Sequence, residues 1–101
     1  MITYRPLLDS LTIKESHIDG LGLFATEFIE EGVNLGLTHI PNKYSINAYI
    51  RTPLGGFINH SERPNCKLSD VGEGRLHLFT TKEIKPGDEL TLKYKLYIPK
   101  K

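Results

Sequence analysis

The sequence predicts an all-β domain, because short apolar stretches with strand-like alternation follow one another at close intervals. Glycine, proline and asparagine separate these stretches, and no amphipathic helix longer than a few turns interrupts them. The chain has 101 residues, of which 39% are hydrophobic and 25% are charged, as in ordinary globular proteins. A chain of this length is expected to form one domain, residues 1–101, around a single core.

The first two strands are predicted on either side of a glycine-bearing turn. Residues 11–16 alternate in the manner of a half-buried strand, and residues 23–25 begin an apolar one. Gly20 and Gly22 lie on either side of Leu21. Because glycine has no side chain, this turn is expected to bring bare backbone to the surface. A plain turn is the commoner explanation of a lone Gly-x-Gly.

The middle of the chain is harder to interpret. Residues 33–37 predict a short strand that Gly36 interrupts. Residues 38–50 show no periodicity, and Pro41 with Asn42 indicates a loop. Tyr49 lies in this part, and a tyrosine in such a stretch is most often a core or surface residue.

The second half predicts a hairpin, a tight turn and a last strand. Residues 70–74 form a glycine-containing loop, and residues 75–80 alternate as a strand. Residues 85–88, with proline followed by glycine, predict a type II turn. The strand over residues 89–94 is expected to place Leu90, Leu92 and Tyr94 on one face.

Residues 55–66 contain the densest set of glycines and hydrogen-bonding side chains that could contact a ligand. Two adjacent glycines allow close approach of the backbone to a ligand, and Asn59 with His60 offers donors and acceptors to a polar heterocycle. The residue before Pro64 is restricted to extended conformations, so we expect a shaped loop. This loop is the first candidate site.

Three motifs resemble those of the SET domain, the fold of most protein lysine methyltransferases. Residues 59–66 have the sequence NHSERPNC, similar to the family's Asn-His-Ser-x-x-Pro-Asn signature. Residues 20–25, GLGLFA, and residues 87–94, GDELTLKY, resemble two further family motifs in the same order. The resemblance covers a core of about residues 11–97 and is closest to the minimal, stand-alone SET proteins of viruses and bacteria.

The resemblance implies a SET-domain β-clip with short turns or 3-10 segments. In this fold the C-terminal segment threads beneath a loop as a pseudoknot, which would bring Tyr94 beside Asn59 and His60. It also implies transfer of a methyl group from S-adenosyl-L-methionine to the side-chain amine of a protein lysine, for example in a histone-like or other basic protein. A non-catalytic SET-like module that binds a peptide or the cofactor is the alternative.

The resemblance also assigns roles to individual residues. Tyr94 matches the tyrosine that orients the amine, and Tyr49 is a candidate wall of the lysine channel. The cofactor-binding residues would be Gly20, Leu21, Gly22, Phe57, Asn59 and His60. No cysteine-rich segment follows Tyr94, so the zinc-binding post-SET module of many relatives is not expected, and Leu96 and Ile98 would leave apolar edges that a homodimer could cover.

Other chemistries and partners are disfavoured by the composition. The single cysteine, Cys66, excludes an internal disulfide, and with scattered histidines it predicts no metal site and a buried thiol. The net charge of +1 and the lack of a basic run interleaved with aromatics argue against nucleic acid. No apolar run could cross a membrane and no secretory signal is found, so we expect an intracellular protein. Glu27, Glu30 and Glu31 would favour a basic peptide only if they lay near its groove; a solvated acidic turn is the simpler interpretation.

Overall fold

Eight short strands and one turn of helix form the fold in the computed structural model, which describes residues 7–44 and 49–94. The elements in chain order are β1 Leu11–Glu15, β2 Leu21–Ala25, β3 Asn34–Pro41, β4 Tyr49–Arg51, α1 Pro53–Gly56, β5 Asn59–His60, β6 Cys66–Asp70, β7 Leu76–Thr80 and β8 Glu89–Leu92. The all-β prediction is confirmed. Within the described residues no helix is long and apolar enough to span a membrane.

Two four-stranded sheets hold these elements. One has the strand order β1-β2-β8-β5 and the other the order β4-β3-β7-β6. Neighbouring strands are antiparallel except β5 and β8, which pair in parallel with Asn59 opposite Thr91 and His60 opposite Leu92. The last described strand therefore lies inside the first sheet, between β2 and the short strand of the central motif.

The core lies between the sheets and consists mainly of leucine and isoleucine. Leu23, Leu78, Ile84 and Leu90 are fully buried, and each such side chain stabilises the fold by about 1.5–3 kcal/mol relative to exposure. β7 alternates between buried and half-buried residues as its sequence pattern predicts. In β8, Thr91 is buried as well as Leu90 and Leu92, because a strand inside a sheet of this fold is covered on both faces.

Two predicted backbone features are confirmed. Gly36 has a φ of +125°, and the register between β3 and β7 shifts beside it, as in a β-bulge. At the predicted type II turn the backbone N–H of Asp88 donates to the carbonyl of Lys85 at 3.0 Å, and Gly87 has a φ of +90°.

The structure corrects the interpretation of Gly55, the first of the two adjacent glycines. Gly55 is buried within α1, where a Cβ atom would lie 2.6 Å from the carbonyl oxygen of Thr38. This glycine therefore allows α1 to pack against β3 and offers no backbone to a ligand. Thr52 caps the helix, and the prediction of a loop is wrong for Asn59 and His60, which form β5.

Candidate active site

The parallel pairing of β5 with β8 brings together motifs that lie about thirty residues apart in the sequence. The backbone N–H of Ser61 donates to the carbonyl of Leu92 at 2.8 Å, and the backbone N–H of Tyr94 donates to Nδ1 of His60 at 2.9 Å. The rings of His60 and Tyr94 pack edge to face, with centroids 5.1 Å apart. The predicted meeting of Tyr94 with His60 is thus found in the structure, and Asn59 precedes His60 in β5.

The side-chain amide of Asn59 joins the glycine-bearing turn to β8. Its Nδ2 atom lies 2.8 Å from Oε2 of Glu89 and 3.1 Å from Oγ of Ser16. The carbonyl oxygens of Asp19 and Leu21 lie 3.1 and 3.3 Å from the same nitrogen. Four acceptors therefore surround a group with two hydrogens, and Asn59 connects its own strand to the β1–β2 turn and to β8.

Glu89 completes this cluster and explains Gly22. Oγ of Ser16 lies 2.8 and 2.9 Å from the two carboxylate oxygens of Glu89. Gly22 is buried, and a Cβ atom on it would collide with the Glu89 carboxylate. The expectation that Gly22 exposes bare backbone is therefore wrong: its missing side chain makes room for Glu89.

Gly20 and Leu21 do face open space. Gly20 has a φ of +43°, and no atom lies within 4 Å of the position that its Cβ would take. Leu21 is 48% exposed, and Phe57, at the end of α1, is 36% exposed. The turn thus combines accessible backbone at Gly20 with the apolar surface of Leu21, which suits a ligand that carries an aromatic heterocycle and polar edges.

His60 has one defined tautomer. Because Nδ1 accepts the N–H of Tyr94, the ring hydrogen lies on Nε2, which donates to Oε2 of Glu62 at 2.7 Å. Nζ of Lys93 lies 3.3 Å from the other carboxylate oxygen of Glu62. The hydrogen bond from His60, followed by that from Lys93, holds the pKa of Glu62 below its ordinary value.

The phenol of Tyr94 is half-buried, and its hydroxyl donates to the carbonyl of Ile58 at 2.5 Å. Burial raises the pKa of Tyr94; the Asp19 carboxylate also raises it, and the Arg51 guanidinium opposes the shift. The hydroxyl therefore stays protonated at neutral pH. Since its hydrogen is directed to Ile58, its oxygen is oriented to accept a hydrogen bond.

Tyr49 lies on β4, the edge strand of the second sheet, and packs edge to face on His39 with centroids 5.5 Å apart. The Thr38 hydroxyl donates to the carbonyl of Leu76, so it accepts from Nδ1 of His39 at 2.8 Å. Burial, aided by the charge of Arg51, lowers the pKa of His39 to about 4. The role of Tyr49 in a substrate channel stays a prediction.

Other candidate groups lie away from this site or are inert. Cys66 is 2% exposed, and burial raises the pKa of its thiol to about 12, which confirms the buried thiol and rules out a thiolate nucleophile. The acidic residues of the segment 27–31 follow the end of β2 that is remote from Leu21. Over residues 7–44 and 49–94, no three His, Cys, Asp or Glu side chains are grouped so as to hold a metal ion.

Sequence reasoning missed three residues that build the site: Ser16, Glu89 and Asn65. The side-chain amide of Asn65 accepts from the backbone N–H of Thr91 at 2.8 Å and donates to the carbonyl of Glu89 at 2.9 Å. It thus makes the two hydrogen bonds to β8 that the backbone of a neighbouring strand would otherwise make. Asn65 and Glu89 belong to the motifs that carried the resemblance, which was the available signal. Ser16 had none, because a lone serine at a strand end is commonplace.

Comparison with known proteins supports the resemblance. The family model of the SET domain matches residues 33–95. The chain is 28% identical to the histone-lysine N-methyltransferase trithorax of Drosophila virilis, over 92% of this chain and 3% of that protein. It is 42% identical to the histone-lysine N-methyltransferase, H3 lysine-36 specific, of Mycosarcoma maydis, over 54% of this chain and 6% of that protein. The chain thus spans a small part of these relatives.

Solved structures show the same fold. The methyltransferase domain of human PR domain-containing protein 2 superposes with a TM-score of 0.69 at 18% identity, covering 88% of this chain and 79% of that one. A chain of the Chaetomium thermophilum Polycomb Repressive Complex 2 superposes with a TM-score of 0.72 at 22% identity, covering 88% of this chain and 16% of that one. At these identities the likeness concerns the fold alone.

Proposed function

The chain belongs to the SET-domain family, and from this we propose that it transfers a methyl group from S-adenosyl-L-methionine to the side-chain amine of a lysine in a protein. One observation carries the proposal: Tyr94 is held by His60 and Ile58, and Asn59, which precedes His60, contacts the carbonyls of the glycine-bearing turn. The relatives named as histone-lysine methyltransferases support a lysine-bearing, histone-like or other basic protein as substrate.

The residues around the turn fit the cofactor. Gly20 would contact it through accessible backbone, and the exposed side chains of Leu21 and Phe57 would offer apolar surface to its adenine. Asn59, His60 and Gly22 would act by holding these groups in place, since their side-chain positions are occupied by contacts within the chain. When bound, S-adenosylmethionine supplies an electrophilic methyl group on a sulfonium.

Tyr94 would orient the substrate amine. A lysine amine has an unperturbed pKa of about 10.4, so a productive site must favour its neutral form, which desolvation does. The hydroxyl oxygen of Tyr94 can accept one N–H of the amine because its own hydrogen is directed to Ile58. The amine lone pair is then free to be aligned with the methyl group, and alignment supplies much of the rate.

The test is methylation of lysine-bearing peptides and basic proteins, followed by mass spectrometry, for the wild type, Tyr94→Phe and Tyr44→Phe. Tyr94→Phe keeps the ring and deletes the hydroxyl, so turnover should fall by roughly ten- to a thousandfold, which corresponds to about 1.4–4 kcal/mol. Stability should fall by about 1 kcal/mol, through the lost bond to Ile58. Tyr44 is 86% exposed, so its variant is the matched control and should keep wild-type turnover.

Cofactor affinity, measured by titration calorimetry, separates the alternatives. Binding of S-adenosylmethionine without any methylated product would favour the non-catalytic binding module. Absence of heat up to millimolar cofactor would contradict both methyl transfer and a cofactor-binding module, and would leave only a module that binds a peptide. Unchanged turnover in Tyr94→Phe would remove Tyr94 from the catalytic role. The intracellular location of the protein stays a prediction.

A further inference from the structure

The side chain of His60 connects an exposed acidic residue to the backbone that carries Tyr94. On one side Nδ1 accepts the Tyr94 N–H at 2.9 Å, and on the other Nε2 donates to Glu62 at 2.7 Å. The two contacts depend on each other through the ring, because a neutral imidazole carries its one hydrogen on either nitrogen.

Only one of the two neutral tautomers fits both neighbours. A hydrogen on Nδ1 would point at the N–H of Tyr94 and would leave Nε2 as a lone pair facing the Glu62 carboxylate. A hydrogen on Nε2 satisfies both contacts. The carboxylate of Glu62 therefore favours the tautomer that accepts the Tyr94 N–H, as the acidic partner of a catalytic histidine does elsewhere.

Lys93, which directly follows β8, also restrains Glu62. Its Nζ atom lies 3.3 Å from the carboxylate oxygen that His60 does not use, so Glu62 is held from both sides. The side chain of Glu62 is 73% exposed, and an exposed ion pair of this kind contributes little to global stability. The effect of Glu62 is therefore expected at its neighbours, His60 and Tyr94.

Three of the contacts that attach Tyr94 to the fold meet at this point. These are the N–H bond to His60, the packing of the two rings and the hydroxyl bond to Ile58. Ile58 and His60 lie two residues apart in the same segment. A rotation of the His60 ring would move Nδ1, and with it the Tyr94 backbone, relative to the Ile58 carbonyl that orients the Tyr94 hydroxyl.

We propose that Glu62 is a positioning residue for Tyr94: it fixes the Nε2–H tautomer of His60, and His60 in turn holds the backbone of Tyr94 through Nδ1. This role rests on the proposed function, because the placement of Tyr94 matters for orienting a lysine amine. Glu62 is not itself expected to touch the substrate or the cofactor.

The experiment compares Glu62→Gln with Glu73→Gln in the full chain. Glu73 is also exposed and has an arginine partner, with Arg75 Nη2 at 3.6 Å, but it lies in the β6–β7 hairpin, away from His60. Both variants remove one acidic charge and one surface ion pair. Nitrogen-15 NMR of the imidazoles at pH 8 identifies the His60 tautomer, and hydrogen exchange reports the protection of the Tyr94 N–H; neither needs enzyme activity.

In Glu62→Gln the glutamine amide can accept from or donate to Nε2, so the N–H of Tyr94 alone still favours the Nε2–H tautomer and the preference is weakened. We expect mixed His60 tautomers and exchange of the Tyr94 N–H that is faster by about threefold to tenfold, while Glu73→Gln matches the wild type. On a substrate that the wild type methylates, the kcat of Glu62→Gln should fall by about threefold to tenfold, and its Kd for the cofactor should stay within about twofold of the wild-type value.

The possible outcomes separate this inference from the proposed function. If the His60 tautomer and the Tyr94 exchange in Glu62→Gln equal those in Glu73→Gln, Glu62 does not position Tyr94 and the inference is overturned. A kcat that falls equally in both variants would also overturn it, because it would indicate a general charge effect. If NMR and exchange change as expected but the wild type methylates no substrate, the positioning of Tyr94 stands and the proposed function fails.

Discussion

Replacing Asn59 by aspartate is the most direct test of how the site is built. The two side chains have the same shape, so the substitution leaves packing intact and exchanges an NH2 group for a carboxylate oxygen. In the wild type this group is surrounded by acceptors, the nearest being Oε2 of Glu89 at 2.8 Å. The variant places an acceptor where only a donor fits.

The magnitude follows from two effects. Losing the hydrogen bond to a charged partner costs about 1.5–3 kcal/mol. Two carboxylates 2.8 Å apart would repel by about 6 kcal/mol at an effective dielectric constant near 20, and separation or uptake of a proton reduces this to roughly 2–3 kcal/mol. We therefore expect Asn59→Asp to lose about 3.5–6 kcal/mol, a large part of the stability of a domain of this size.

Two further variants separate the two effects. Asn59→Ala removes the hydrogen bonds without adding a charge and should cost about 2–3 kcal/mol. The double variant Asn59→Asp, Glu89→Gln exchanges carboxylate and amide across the pair, so a donor again faces an acceptor. It should recover about 2 kcal/mol or more relative to Asn59→Asp alone, although the carbonyls of Asp19 and Leu21 still face the new carboxylate.

Urea unfolding followed by circular dichroism is the assay, since the chain has no tryptophan. Equal stabilities of Asn59→Asp and Asn59→Ala would show that no like-charge contact forms with Glu89. A double variant less stable than Asn59→Asp would refute the pairing itself.

Four further outcomes are expected. Gly22→Ala should lose about 1–3 kcal/mol, because the new methyl group displaces the Glu89 carboxylate, whereas Gly56→Ala, with open space at its Cβ, should change stability little. The pKa of His39 in the fold is about 4, so between pH 7 and 5 only the unfolded chain takes up a proton at this residue, and the free energy of unfolding should fall by about 2 kcal/mol. In denaturant titrations a His39→Gln variant should lack this part of the pH dependence. The Cys66 thiol should react with a disulfide reagent at pH 8 only as fast as the protein unfolds. Light scattering should give the mass of the dimer expected from the sequence, twice the 11.4 kDa of the chain; the monomer mass at tens of micromolar would contradict it.

Local features could be predicted from the sequence because local forces decide them. The turn at residues 85–88 follows from a proline and a glycine with fixed backbone preferences, and the alternation of β7 follows from burial on one face. The motif resemblance supplied the family and the meeting of Tyr94 with His60. The alternation of apolar and polar residues alone could not have placed β8 between β2 and β5, because this alternation does not indicate which strands pair.

The glycines show where sequence reasoning stops. A glycine can serve a positive φ, a ligand or the close approach of another part of the same chain, and all three look alike in a sequence. Gly20 has the positive φ and open space, Gly22 makes room for Glu89, and Gly55 makes room for the carbonyl of Thr38. The partners in the last two cases are at least seventeen residues away, so only the tertiary structure identifies them.

The contacts that close the fold are also the contacts that build the site. Asn59 ties the glycine-bearing turn to Glu89, and His60 ties Tyr94 to β5, so loss of activity in variants of either residue does not by itself indicate a lost cofactor contact. Linkage distinguishes the two causes: a ligand at a hundred times its Kd stabilises the fold by about 2.7 kcal/mol. A variant that only weakens the fold keeps this increment at the wild-type Kd, whereas a variant that loses cofactor contacts shows a smaller increment at the same cofactor concentration. Measuring stability with and without cofactor therefore assigns each residue to the fold, to the ligand or to both.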